Sequence, residues 1–354
     1  MALVPKSPAA PIQFGGVGVR FELVPDWERC PQGEEYSHAD VAAVACDSRD
    51  RVYLHTRKGD RVMVYDEDGT FIKKWGDGVF NQAHGITIHD DVVYCTDNMD
   101  SVVRVFDLDG NFQWMLGKPK VVTDTGYGGL RGRKPKIHHN EFVERASGPF
   151  NCCCNVSVAA NQDIFVADGY GNARVHHFDA KGNLLNSWGD VGTGPGQFHL
   201  PHGIALDRDE NVIVCDREND RLQFFDRSGK FLYMWDDVLR PTDCVVDKDG
   251  LIYVSELWRP VEAGQGSFTR GYADHDLPGR LSVFDPDGVL VARWGADSAD
   301  RAAPGNFIAP HGLAIDSRGS LYVAEVSGSF GGLLNRMPVA ACLNHQIQKF
   351  RRVR

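Results

Sequence analysis

Residues Phe198–Asp226 read FHLPHGIALDRDENVIVCDRENDRLQFFD, and degraded forms of this stretch return along most of the chain at a period of roughly 40 residues. Within it GIALD is a short apolar run, DRDEN a turn, NVIVCD a β-branched run, RENDR a second turn and LQFFD a third run; RSGK then leads into FLYMW. Val, Ile and aromatic runs bounded by Asp, Asn and Gly clusters predict strands joined by tight turns. Four such antiparallel strands make one small twisted sheet, and a chain of them predicts an all-β propeller.

The other copies are Ala43–Gly76, His84–Gly117 and Asn155–Gly189, followed by the unit above. A fifth starts at Pro241–Glu256 and resumes at Arg280–Gly295; a sixth starts at Pro310–Glu325 and resumes at His345–Arg352. The complete copies close on FD-x-x-G or a near relative, then an apolar run that ends in W-G in blades one, three and five, the mark of a last hairpin whose glycine supplies positive φ. The sixth copy ends before its fourth strand, while Val17–Val24 (VGVRFELV) alternates and belongs to no complete blade. The expectation is six blades of NHL-type repeats forming one domain over 1–354, closed by the N-terminal strand so that no sheet edge is left open. Residues 1–16 are expected to be a flexible lead-in. Inserts at 118–149, 257–279 and 326–344, rich in Gly, Pro and charge, are expected to be loops that carry specificity.

A net charge of -10 argues against nucleic acid or an anionic membrane as the main partner. No apolar run is long enough to span a bilayer, and the N-terminus lacks a signal-peptide core. Nine cysteines, an odd number without regular spacing, several of them inside apolar strands (Cys46, Cys95, Cys215), fit a reduced, cytoplasmic protein.

The first strand of each blade lines the central channel, so equivalent positions form a ring around the axis. One such position runs Ala42, His84, Cys154, His202, Thr242 and His311 through blades one to six. Alternate blades stand about 120° apart, so three imidazoles would converge on one axial point. That is a three-histidine metal site with an open position, favouring zinc or another first-row divalent ion. A histidine at any one of these positions could be repeat filler; the alternation favours the metal. His89, His138, His139, His176, His177 and His199 share no such relation and read as surface or packing residues.

A second column, Thr56, Asp97, Asp168, Asp216, Glu256 and Glu325, is expected to hydrogen-bond the turn of a neighbouring blade. The residues just after it reach the channel mouth: Arg57, Gly169-Tyr170 and Arg217. Arginine can grip a substrate carboxylate in bidentate fashion, and a tyrosine beside a dication and arginines is a candidate base. Strand alternation would send Cys152 and Cys154 to one face and Cys153 to the other, so a thiolate ligand and apolar packing are both open.

These residues together resemble the peptidyl-α-hydroxyglycine α-amidating lyase family, six-bladed propellers of the wider NHL-repeat group. The matching stretches, in order, are His84-Gly85, DGYGNAR (Asp168–Arg174), LPHGIAL with DREND (Leu200–Leu206, Asp216–Asp220) and Pro310-His311, within a similarity running from about Ala42 to His311. The resemblance implies a catalytic zinc on His84, His202 and His311, Tyr170 as base, and Arg57 (in LHTRKGD) and Arg217 for the substrate's carboxylate and developing charge. It implies cleavage of a carbinolamide, an N-acyl-α-hydroxyglycine, into an amide and glyoxylate. The family's aspartate after the third histidine, which serves a structural calcium, is Gly312 here. That puts the calcium in doubt, although carbonyls near Val44 and Ile86 could contribute. Gly171 replaces a disulfide cysteine, and Cys153-Cys154-Asn155 stands where the family has Pro-Thr-Asp. The expectation is a free-standing lyase acting on a small carboxylate that need not be a peptide. A metal-dependent hydrolase of an ester, lactone or amide on the same site, and a non-catalytic NHL scaffold, are the alternatives.

Overall fold

The structure, a computed structural model, describes residues 12–16, 18–127, 143–260, 275–296, 299–333 and 336–353. Its strands form six antiparallel sheets arranged as a ring, a six-bladed β-propeller. Blade four shows the pattern: Pro201–Leu206 innermost, then Val212–Asp216, Arg221–Phe225 and Phe231–Trp235 outward. The innermost strands of successive blades touch all the way round, including Pro310–Ile315 of blade six against Val41–Cys46 of blade one.

The repeat is legible in the packing between blades. Each of the six seams is filled by one cluster of buried apolar side chains. Between blades one and two, for example, Val62 and Val64 meet Val93, Cys95 and Phe106. The seams explain why W-G and Asp-x-x-Gly recur together. Gly229, at φ 84 in the last hairpin of blade four, lies against the indole that ends blade three; a Cβ there would come within 2.6 Å of the Trp188 ring. Gly110 on Trp75 and Gly288 on Trp235 repeat the contact at two further seams, so at these three seams one blade's turn packs on its predecessor's tryptophan and the two residues recur together.

Closure follows expectation: Val19–Val24 pairs with Ile347–Val353 to complete blade six. The described end of the lead-in, 12–16, does not, while 1–11 lie outside the described residues. Gln13–Gly16 is a fifth strand on that sheet, paired with Val19–Glu22. Phe14 accounts for the difference, since its ring packs on Trp294 and Phe350 at 6.1 and 5.4 Å and so gains burial that a free lead-in would forgo. The last insert also departs from a loop: it contains a π-helical turn, Gly328–Leu333, and a short α-helix, Val339–Leu343. In the first insert, Tyr127 and Val143 join the core between blades three and four; His138 and His139 lie outside the described residues. Among the described residues no helix is long and apolar enough to cross a membrane, and all nine cysteines are free thiols.

Candidate metal centre

Every innermost strand has a register shift opposite the end of its second strand: Val41/Ala43, Ala83/Ile86, Cys153/Asn155, Pro201/Ile204, Pro241/Asp243 and Pro310/Gly312. A β-bulge re-aims the side chain it carries, and the column position falls within each of these irregularities. His84, His202 and His311 therefore converge, with ring centroids 4.8, 5.0 and 4.7 Å apart, a nearly equilateral triangle. Their ligating nitrogens lie within 4.8 Å of one another, and all three residues are buried.

The intervening blades contribute backbone. The Nδ1–H of His84 donates to the carbonyl of Cys154 (2.7 Å), that of His202 to Thr242 (2.5 Å) and that of His311 to Ala42 (2.7 Å). Each histidine is thus held by the column residue of the next blade. This fixes the tautomer and leaves Nε2 with its lone pair for the axis, the outer-shell arrangement of metal-binding imidazoles. Burial pushes all three below the ordinary imidazole value, His311 to about 3, with Arg57 and Arg217 adding positive charge nearby. They are neutral donors.

Tyr170 enters this triangle from blade three. Its hydroxyl lies 3.3 Å from His84 Nε2 and 3.2 Å from His202 Nε2, and accepts from Arg217 Nη1 at 3.1 Å. Arg57 comes from blade one, where its Nε donates to the Ala83 carbonyl and its Nη1 to Asp40 and Ser329. His84, His202, His311, Tyr170 and Arg217 are therefore brought together, with Arg57 beside them through the carbonyl of Ala83, the neighbour of His84.

Other expectations are corrected. The second-column carboxylates do not reach a neighbouring blade's turn. Asp97 accepts from the backbone N–H of Asn81 and Gln82, Asp168 from Asn151, Asp216 from His199, Glu256 from Leu239, and Glu325 from Ile308 and Ala309. Each ties down the segment entering its own blade, because the ladder sets the end of strand two opposite the start of strand one, as with Pro201 and Asp216. The alternation argument for the cysteines also fails, since Cys152 sits at φ 61, outside the strand that begins at Cys153. Cys154 offers its carbonyl to His84; its thiol packs with Leu200 and Tyr170, and burial pushes its pKa up, away from the thiolate a metal needs.

Residue patterns missed Glu218 and Arg240. Glu218 accepts from Arg217 Nε at 2.8 Å and Arg240 Nη2 at 3.0 Å, all three side chains being buried. Burial alone would raise the Glu218 pKa, but Arg240 and then Arg217 hold it below the ordinary carboxylate value. Arg240 also donates to the Trp258 carbonyl and faces the Phe330 ring, linking the site to the last two inserts. Glu218 lies in the DREND motif beside Arg217, which was its only local signal.

The family described as a 6-bladed beta-propeller, DUF5128, matches residues 153–265. NHL repeat-containing protein 3 of Homo sapiens is 27% identical over 311 residues, covering 79% of this chain and 84% of that protein. The Caenorhabditis elegans protein named "Probable peptidyl-alpha-hydroxyglycine alpha-amidating lyase pgal-1" is 32% identical over 167 residues, covering 46% of this chain and 42% of that protein. Among solved structures, a gluconolactonase of Xanthomonas campestris superposes with a TM-score of 0.56 at 13% identity, with 99% of each chain covered, a likeness of fold. The chain is thus related to NHL-repeat propellers and to amidating lyases, and its match spans under half of the nematode protein.

Proposed function

We propose that this chain is a metal-dependent carbon–nitrogen lyase that splits a carbinolamide, an N-acyl-α-hydroxyglycine or close analogue, into an amide and glyoxylate. The reading is carried by the triangle of His84, His202 and His311, each Nδ1 tied to a carbonyl and Tyr170 set against two of the Nε2 atoms. Three neutral imidazoles and no other donor in the group suit zinc or another first-row divalent ion. When bound, such an ion would polarise the substrate's hydroxyl oxygen. The name of the nematode relative supports the reaction class.

The remaining work falls to the chain's own groups. Arg57, the more exposed arginine (16% against 2% for Arg217), takes the substrate carboxylate. Tyr170, as the phenolate paired with the Arg217 guanidinium, receives the proton of the substrate hydroxyl and hands one on to the departing nitrogen. The oxygen's electron pair becomes the aldehyde C=O, the C–N bond breaks with its pair on nitrogen, and nitrogen takes up one proton. The proton lost by oxygen balances the one gained by nitrogen. The partner in this reading is a small carboxylate, neither nucleic acid nor membrane, and the free thiols suit a cytoplasmic setting.

Elemental analysis of untagged wild type and of His84→Ala/His202→Ala, with glyoxylate release from N-acyl-α-hydroxyglycines, tests this. About one transition metal per chain in the wild type, little in the variant and turnover only in the former is the expected result. Turnover of esters or lactones alone would make the chain a hydrolase. No metal and no turnover in either protein would leave a non-catalytic NHL propeller.

A further inference from the structure

One residue past each column position stand Ala43, Gly85, Asn155, Gly203, Asp243 and Gly312, a layer in which Gly85 lies against Asn155, Gly203 against Asp243 and Gly312 against Ala43. Only Asn155 and Asp243 bring polar side chains to this layer, and they meet across it: Asn155 Nδ2 donates to Asp243 Oδ1 at 3.0 Å, joining blade three to blade five. The orientation of the amide is set by its other end, where Asn155 Oδ1 accepts from the Val156 N–H at 2.8 Å. Asp243 Oδ1 also accepts from the Cys244 N–H, and Oδ2 accepts from the Leu313 N–H of blade six, each at 3.0 Å. One buried carboxyl thus pins three blades.

We infer that the channel floor of this chain is closed by the Asn155–Asp243 hydrogen bond, in place of the structural calcium that the resemblance to amidating lyases implies. Calcium takes six to eight oxygen ligands, carboxylates foremost. Here the layer holds one carboxylate, and both its oxygens already face N–H donors. Asn155 turns a donor toward it, which a cation would repel. Position 312, where the family's aspartate would stand, has no room for a side chain: a Cβ on Gly312 would lie 2.6 Å from the Cα of Ala43. Gly85 and Gly203 are equally confined, at 2.6 Å from Asn155 Oδ1 and from the Asp243 Cα. The layer's carboxylate stands on blade five, and the amide opposite it on blade three does the bridging. Burial pushes the Asp243 carboxyl up to about 7, as expected where its partners are amides and carry no charge.

Thermal unfolding of resin-stripped protein with and without millimolar calcium, alongside bound calcium by equilibrium dialysis, decides the matter without any turnover. The lyase reading can therefore fail while this one stands, and the reverse. Calcium should move the wild-type Tm by less than about 1 °C, whereas Asn155→Asp, which sets two carboxylates face to face, should melt lower and regain about 5 °C on calcium addition. If Asn155→Asp does not fold, Asp243→Asn serves instead: wild type and variant should be alike in binding no calcium. One calcium bound per wild-type chain, with a raised Tm, would overturn the inference; so would calcium binding that Asp243→Asn abolishes.

Discussion

Glu218 is the residue on which the electrostatics of the mouth turn. Two buried guanidiniums share it, and only the one on Arg217 reaches Tyr170. Removing one partner from a buried ion pair costs about 3–5 kcal/mol, because the charge left behind is neither solvated nor paired. Glu218→Gln should therefore lower stability by about that amount in urea unfolding. It should also loosen Arg217 from Tyr170 and, in the reaction proposed above, reduce kcat by about tenfold or more with a smaller change in KM. A folded variant with unchanged kcat would confine Glu218 to packing. The histidines were legible because they share a position in a local repeat. Glu218 was not singled out, because its importance comes from Arg240, 22 residues away and brought beside it by the seam between blades four and five.

The blade is the next scale, and its two signatures have different physical origins. Asp-x-x-Gly is a local turn, whereas the glycine's identity is also enforced by the indole of the preceding blade. Comparing Gly229→Ala with Gly78→Ala separates the two. Both glycines have positive φ, 84 and 74, but a Cβ at Gly78 meets open space. The backbone penalty alone is about 1–2 kcal/mol, and overpacking adds about 1–3 kcal/mol more. Urea unfolding should show Gly229→Ala losing the larger amount, and equal losses would mean that the Trp188 contact yields freely. Strand order and pairing were legible from periodicity, which reports which face is buried. The helical turns at Gly328–Leu333 and Val339–Leu343 were not, because Gly-rich sequence carries no helical period and their support is tertiary. Ser329 is held there by Asp40 and Arg57, nearly 300 residues earlier in the chain.

For the molecule as a whole, the ring is closed by its first strands. Phe21 is fully buried between blades five and six, with its ring 6.2 Å from Tyr253 and 5.8 Å from Trp294. Trp27 plays the same part in the seam between blades six and one, against Tyr65 and Tyr322. Phe21→Ala should cost about 3–5 kcal/mol, as a buried phenylalanine in mid-chain would. It should do so in a single cooperative transition, since opening one seam exposes the apolar faces of two blades at once. A separate early transition in urea would show that the N-terminal strands melt apart from the ring.

The sequence by itself determined the six repeats, the place of closure and the column in which histidine alternates, because each is written in spacing that local pairing obeys. Only the tertiary structure decided how the columns are used. Three histidines converge with their Nε2 atoms turned inward because each Nδ1 finds the carbonyl of the following blade, as His311 finds Ala42 across the closure. The carboxylate of the channel floor finds its amide 88 residues away. Those partners are set by the bulges and the curvature of the closed ring, which no residue pattern states and which exist only once all six seams are packed.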